Sequence, residues 1–138
     1  MKLWIWLVIG LTMISLLVIA NSRGPNSVVT IIVPDNFRGV IRVPIKNSQR
    51  FWESKTITCI VSERGEATEI IGPTFSLRRA QSTSGREIPI VFGRPQLDEY
   101  GLYSSDVGGD DYLYLIAGGI ADYEAGFDEI KDREMQSR

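Results

Sequence analysis

The densest group of side chains that could do chemistry lies in residues 97–112, LDEYGLYSSDVGGDDY. Five carboxylates fall in this segment: Asp98, Glu99, Asp106, Asp110 and Asp111. Carboxylate oxygens are ligands that Ca²⁺ prefers, and Gly108 and Gly109 would let the backbone approach an ion closely. The spacing does not match an EF-hand loop, which needs alternating acids, a glycine and a distal glutamate. A calcium site and a solvated acidic loop are both open, and no metal ligand is assigned.

The residue inventory removes several catalytic chemistries. The chain has no histidine, which excludes Ser-His-Asp and Cys-His nucleophile systems and metal sites built on imidazole. Its single cysteine, Cys59, cannot form an internal disulfide or a multi-cysteine zinc site. We expect Cys59 to be a small buried hydrophobic residue. The inventory therefore predicts no cofactor and no catalytic residue.

A serine nucleophile and a pair of carboxylates are two other possible catalytic sites, and the sequence supports neither. The serines of QSTSGR (81–86) lack both the G-x-S-x-G elbow and a histidine base. Paired carboxylates could hydrolyse glycosides if the fold brought them together, which the sequence alone does not show. The prediction is that the protein is not an enzyme.

Short strands are the elements that must position these residues. Apolar or alternating runs separated by turn residues are typical of strands, and they cover residues 27–33, 40–45, 56–61, 74–80, 87–92 and 111–119. Frequent turn signals disfavour helical crossovers, so we expect antiparallel pairing. The predicted fold class is all-β, a small antiparallel β-sandwich preceded by one N-terminal hydrophobic helix.

The first twenty residues differ in composition from the rest. Residues 3–20 contain no charged side chain, and as a helix they would span roughly 27 Å at about 1.5 Å per residue, close to the thickness of a hydrocarbon core. Trp4 and Trp6 suit an interfacial anchor. Lys2 and the small residues near Ala20 also fit a cleaved signal peptide, so both alternatives are open.

The N-terminal charges predict where the rest of the chain lies. Lys2 and the amino group favour a cytoplasmic N-terminus, which places the domain on the far side. We expect a membrane-anchored protein with its domain outside the cytoplasm, or a secreted or periplasmic one if residues 1–20 are removed. The predicted segments are a signal-anchor helix or signal peptide (1–20), a linker (21–26), a β-sandwich domain (27–120) and an acidic C-terminal tail that could form a short exposed helix (121–138).

Charge is divided unevenly along the chain. Residues 21–97 carry eleven Lys and Arg against six Asp and Glu, whereas residues 98–138 carry three against eleven. This division could mark a basic face for an anionic polymer, or the two halves could neutralise each other across the fold. Apart from Arg78-Arg79, the basic residues are spread singly and are not interleaved with aromatic residues, which argues against nucleic-acid binding.

The stretch TIIVPDNFRGVIRVPI, residues 30–45, places an aromatic residue inside a turn. Pro34 and the next two residues favour a turn, and Gly39 gives backbone freedom where the chain re-enters a sheet. We expect Phe37 to fold back over the end of the core.

The same stretch carries a resemblance. A strand, V-P-x-x-F-x-G and a second strand resemble the opening hairpin of small exported bacterial domains of unknown function that are similar to transthyretin-like (prealbumin-like) β-sandwiches. DYLYLIAGGIADY, residues 111–123, is similar to their closing aromatic strand. The resemblance covers residues 28–123. It implies a sandwich and export, and it implies no activity.

These observations favour a structural or interaction module of the cell envelope, without catalytic activity. The expected partners are the membrane, through the N-terminal helix, and an envelope protein or glycan; no nucleic acid is expected. The alternative is a ligand-binding domain that uses the acidic loop for calcium or a basic face for an anionic polymer.

Overall fold

Short strands with alternating buried residues make up most of the described chain. The computed structural model describes residues 27–46, 56–71, 75–105 and 111–136. In these residues the elements are β1 (Ser27–Val33), β2 (Gly39–Lys46), β3 (Thr56–Ile60), β4 (Ile70–Ile71), β5 (Phe75–Ser82), β6 (Ile90–Phe92), β7 (Gly101–Ser104), β8 (Tyr112–Gly118) and the helix α1 (Ile120–Gln136).

The first six strands alternate between two sheets. The first sheet has the order β3-β1-β5, and the second has the order β4-β2-β8-β7-β6. β1 is parallel to both β3 and β5, because the chain returns each time through a strand of the other sheet. In the second sheet β2 is parallel to β4 and β6 to β7, while β8 is antiparallel to β2 and β7.

This winding gives the domain two distinct ends. The entry end is the end of the domain at which β1, β3, β5 and β8 begin and at which β2 and β4 finish. We call the turn end the opposite one, which contains the connection 34–38 after β1 and the connection 83–89 after β5. Residues that are far apart along the chain therefore meet at one end.

The main core lies between the two sheets. Alternate side chains of each strand point inward, and Val29, Ile31 and Val33 of β1 are fully buried against Ile41 and Val43 of β2 in one cluster. Each such side chain contributes about 1.5 to 3 kcal/mol by leaving water. The same cluster includes Cys59, Ile70, Leu102 and Leu115.

Helix α1 covers the other face of the second sheet. Ile130 is fully buried against Tyr114 and Ile116, which point away from the main core. Gly126 lets the helix approach closely, since a Cβ there would lie 3.1 Å from side-chain atoms of Ile116 and Val40. β8 is consequently covered on both faces, which explains its nearly continuous apolar sequence.

The predicted fold class, an antiparallel all-β sandwich preceded by one N-terminal hydrophobic helix, is wrong. The first sheet is parallel, the second is mixed, and the helix that the structure describes is C-terminal, at Ile120–Gln136. A short turn makes a hairpin only if both flanking strands enter the same sheet, and the connection 34–38 instead joins two sheets. The coarser prediction of a β-rich chain with two sheets is confirmed.

Several element boundaries differ from the sequence-based expectation. β4 and β7 were not expected, because one is two residues long and the other lies inside the acidic segment 97–112. β1 is central in its sheet, as its apolar sequence indicates, but Val28 is exposed on the outer face. Helix α1 is not an exposed tail, since it buries Gly126 and Ile130.

The predicted signal-anchor helix or signal peptide and the linker, residues 1–26, lie outside the described residues. Within the residues that the structure does describe, no helix is both long enough and apolar enough to cross a membrane.

Candidate functional site

A groove opens between the two sheets on the side of β5 and β6. It has a volume of about 420 Å³ and is lined by Ser76, Leu77 and Arg78 of β5 and by Phe92, Ser104, Leu113 and Leu115 of the second sheet. The Phe92 side chain is largely exposed although it faces the inter-sheet side. The lining holds one charged residue and no pair of titratable groups that could exchange a proton.

A second, more polar pocket of about 380 Å³ lies beneath the C-terminal end of α1. It is lined by Arg42, Asp111, Tyr112, Tyr114, Arg133, Glu134 and Gln136. The Arg42 guanidinium stacks 3.8 Å from the centre of the Tyr112 ring, and the buried Arg42 Nε has no hydrogen-bond partner. Two arginines and two carboxylates line the pocket, so its charges balance and no anion or cation is favoured.

Tyr114 is one of two phenols that line this pocket, the other being Tyr112. Burial raises the pKa of the Tyr114 hydroxyl, although the positive charge of Arg42 opposes the shift. A raised pKa keeps the phenol protonated at neutral pH, so Tyr114 can donate a hydrogen bond but is a poor base or nucleophile.

The carboxylates of the acidic segment do not converge where the structure describes them. Asp98 Oδ1 accepts a hydrogen bond from the Ile120 backbone nitrogen at 3.0 Å, beyond the end of β8. Asp111 directly precedes β8 at the entry end, so the two carboxylates lie about 20 Å apart along the strand. Asp106 and Asp110 lie outside the described residues, and no three acidic groups within those residues could share an ion.

Asp98 instead joins Asp122 in holding the N-terminus of α1. Asp122 Oδ2 accepts a hydrogen bond from the Gly119 nitrogen at 2.9 Å and lies 2.6 Å from Arg38 Nη1. The carboxylates thus satisfy two backbone donors that the helix leaves unpaired, and their negative charge suits the positive end of the helix dipole.

The serines of residues 81–86 hold two turns together. Asp35 accepts hydrogen bonds from Thr83 Oγ1 at 2.9 Å and from Ser84 Oγ at 2.7 Å. These bonds, with that from Ser84 foremost, lower the pKa of Asp35 from 3.8 to about 2. The hydroxyls donate to a carboxylate at the turn end, which fixes the connection after β5 against the connection after β1.

Two expectations about single residues are confirmed. Cys59 is fully buried and forms no disulfide. Burial raises the pKa of its thiol, and a hydrogen bond with Thr68 acts in the opposite direction. Phe37 packs against the main core at the turn end, and its carbonyl accepts a hydrogen bond from the Tyr100 hydroxyl at 2.6 Å. Neither side chain is directed at a ligand site.

Ion pairs link the basic part of the chain to the acidic part. Arg38 pairs with Asp122 at 2.6 Å and Arg94 with Glu124 at 2.7 Å, as the neutralisation alternative predicts. Arg79 of the Arg78-Arg79 pair lies 2.6 Å from Glu87. These contacts weaken the positive charge available to an anionic polymer.

The Arg42–Tyr112 stack was not anticipated from the sequence. Alternation places Arg42 opposite the buried side chains of β2, but only the pairing of β2 with β8 brings the tyrosines beside it. An arginine within an otherwise apolar strand, VIRVPI, is the signal that could have directed attention to it.

No family model, curated protein or solved structure matches this chain. The resemblance to transthyretin-like domains therefore stays a prediction.

Proposed function

We propose that this protein is a non-catalytic structural or interaction module of the cell envelope, exported and held at the membrane by its apolar N-terminal segment. The run from Leu3 to Ala20, which has no charged residue and is preceded by Lys2, carries the proposal. Its length matches a hydrocarbon core, and the N-terminal charge favours a domain outside the cytoplasm.

The polar contacts of the domain support a structural role. Asp35 joins two turns, and Asp98 and Asp122 hold the start of α1. Each of these groups stabilises the fold where a catalytic group would face a cleft. An interaction module needs such a scaffold and no convergent set of reactive side chains.

Membrane attachment can be tested on the full-length protein in the cells that produce it. We expect the chain to stay in the membrane fraction after alkaline carbonate extraction, and to be digested by protease added outside intact spheroplasts. A variant with Leu11→Arg and Ile14→Lys places two charges within the apolar run and should leave the membrane fraction. A mature protein that begins at Asn21 or Arg23 would overturn the anchor.

A melting experiment distinguishes the calcium-binding alternative from the structural module. A structural module should melt at the same temperature with and without millimolar calcium, because nothing binds the native state selectively. An upward shift that disappears in an Asp106→Asn, Asp110→Asn variant would replace the proposal with a calcium-binding function.

A further inference from the structure

We infer that the entry end of the domain rests on the lipid surface and inserts exposed apolar side chains into the interfacial region. The inference depends on the proposed membrane attachment and adds to it a defined orientation. The contact side chains are Val28, Ile71 and Met135.

This end carries the exposed apolar side chains Val28, Ile71 and Met135. The large apolar residues that are exposed among the described residues are Val28, Ile60, Ile71, Phe92, Leu97 and Met135. Val28 is the second residue of β1, and Ile71 is the last residue of β4, paired with Lys46 at the end of β2. Both therefore lie at the entry end.

Met135 reaches the same end along helix α1. Phe92 does not, since its register partner Ser104 pairs with Leu115 at the middle of β8. Helix α1 starts beyond β8 and runs back, so its last turn lies beside Asp111 and Tyr112, where β8 begins.

The chain itself brings this end to the membrane. Residues 21–26 separate the apolar run from Ser27, and six residues span at most about 20 Å when fully extended. Ser27 is the first residue of β1 at the entry end. A bilayer that holds residues 3–20 must therefore lie close to this end, and the turn end faces away from it.

The charges of the entry end favour an apolar contact over an electrostatic one. Lys46 and Arg133 are exposed there, and Glu69 and Asp111 are exposed there as well. With both signs present, attraction to anionic lipid is small, and the contact depends on buried apolar area. A zwitterionic bilayer should be sufficient.

The experiment compares the two ends within one membrane. Full-length protein is placed in phosphatidylcholine nanodiscs and labelled with a nitroxide at a single introduced cysteine; wild type, whose Cys59 is buried, gives the background. Met135→Cys is matched by Leu97→Cys at the turn end, since the two side chains are 68% and 66% exposed. Ile71→Cys at 48% is matched by Ile60→Cys at 55%.

We expect labels at the entry end to collide several-fold less with a water-soluble nickel complex, and more with oxygen, than labels at the turn end. Adding phosphatidylglycerol should leave this difference unchanged. Equal accessibility at both ends, in protein that stays in the nanodisc, would overturn the orientation and leave the proposed attachment standing. Failure to enter nanodiscs would overturn both.

Two further outcomes would assign a different contact to the entry end. Dipolar broadening at Met135→Cys that vanishes on dilution with unlabelled protein would mean that a second copy covers this end. A salt-sensitive difference that requires phosphatidylglycerol would mean that charge holds the end to the membrane. Either result would overturn the apolar lipid contact.

Discussion

At the residue scale, Gly65 shows how a single backbone position lets the connection between β3 and β4 pass close to β2. It has φ +81, and a Cβ at this position would lie 2.2 Å from the Val40 carbonyl oxygen. The Gly65 carbonyl also accepts a hydrogen bond from Arg42 at 2.8 Å. The turn predicted at residues 62–67 therefore passes too close to β2 to admit a side chain at position 65.

Gly65→Ala should lower the free energy of unfolding of the full-length protein in detergent. The left-handed backbone costs an alanine about 1 to 2 kcal/mol, and the overlap with β2 adds about 1 to 3 kcal/mol. Gly85→Ala is the matched control, because Gly85 has φ +87 and open space around it. Equal losses in urea unfolding would show that backbone conformation alone is responsible.

Asp35 makes stability depend on pH at the turn end. Its pKa is about 2 in the folded protein, below its ordinary value of 3.8. The folded protein favours the ionised Asp35 carboxylate, so this group stabilises the fold above about pH 4. That stabilisation is lost as pH falls towards 2. Ser84→Ala should raise the pKa of Asp35 in an NMR titration, and an unchanged value would contradict the assigned hydrogen bond.

At the element scale, helix α1 matters because it covers the second face of the five-stranded sheet. Ile130→Ala removes a fully buried side chain between the helix and β8 and should cost about 2 to 5 kcal/mol. Asp132→Ala, at an exposed position of the same helix, should have little effect in the same urea titration. Similar losses in the two variants would mean that the helix contributes little through packing.

The start of α1 depends on Asp98, for which the sequence left a calcium site and a solvated loop both open. Asp98→Ala should destabilise the protein by about 0.5 to 2 kcal/mol without calcium, because the Ile120 nitrogen loses its acceptor. The neighbouring exposed Glu99→Ala provides the control. A loss that appears only in the presence of calcium would restore the metal-site interpretation of Asp98.

At the scale of the whole molecule, the alternation of β1 to β6 between two sheets produces parallel pairs from short connections. The sequence supports most of the strands, because alternating apolar residues and turn residues are local signals. It does not show which sheet a strand enters, since β1 can place the same side chains inward beside β2 or beside β3. Antiparallel pairing was therefore the natural prediction, and it was wrong.

The ion pairs between the two charged parts of the chain should add little to global stability. Arg94 and Glu124 are both exposed, and such pairs typically contribute about 0 to 1 kcal/mol. Arg94→Gln should therefore leave the melting temperature nearly unchanged at physiological salt. A large loss would mean that this contact helps to dock α1.

The sequence by itself determined the excluded chemistries, the β-rich composition, the burial of Cys59 and the packing of Phe37, because each follows from residue inventory or local pattern. Only the tertiary structure decided that Asp98 holds a helix, that Arg42 lies against Tyr112, and that exposed apolar residues of β1, β4 and α1 lie at one end. The reason is physical. These contacts join residues far apart in the chain, and their proximity depends on sheet order and strand direction, which local patterns do not encode.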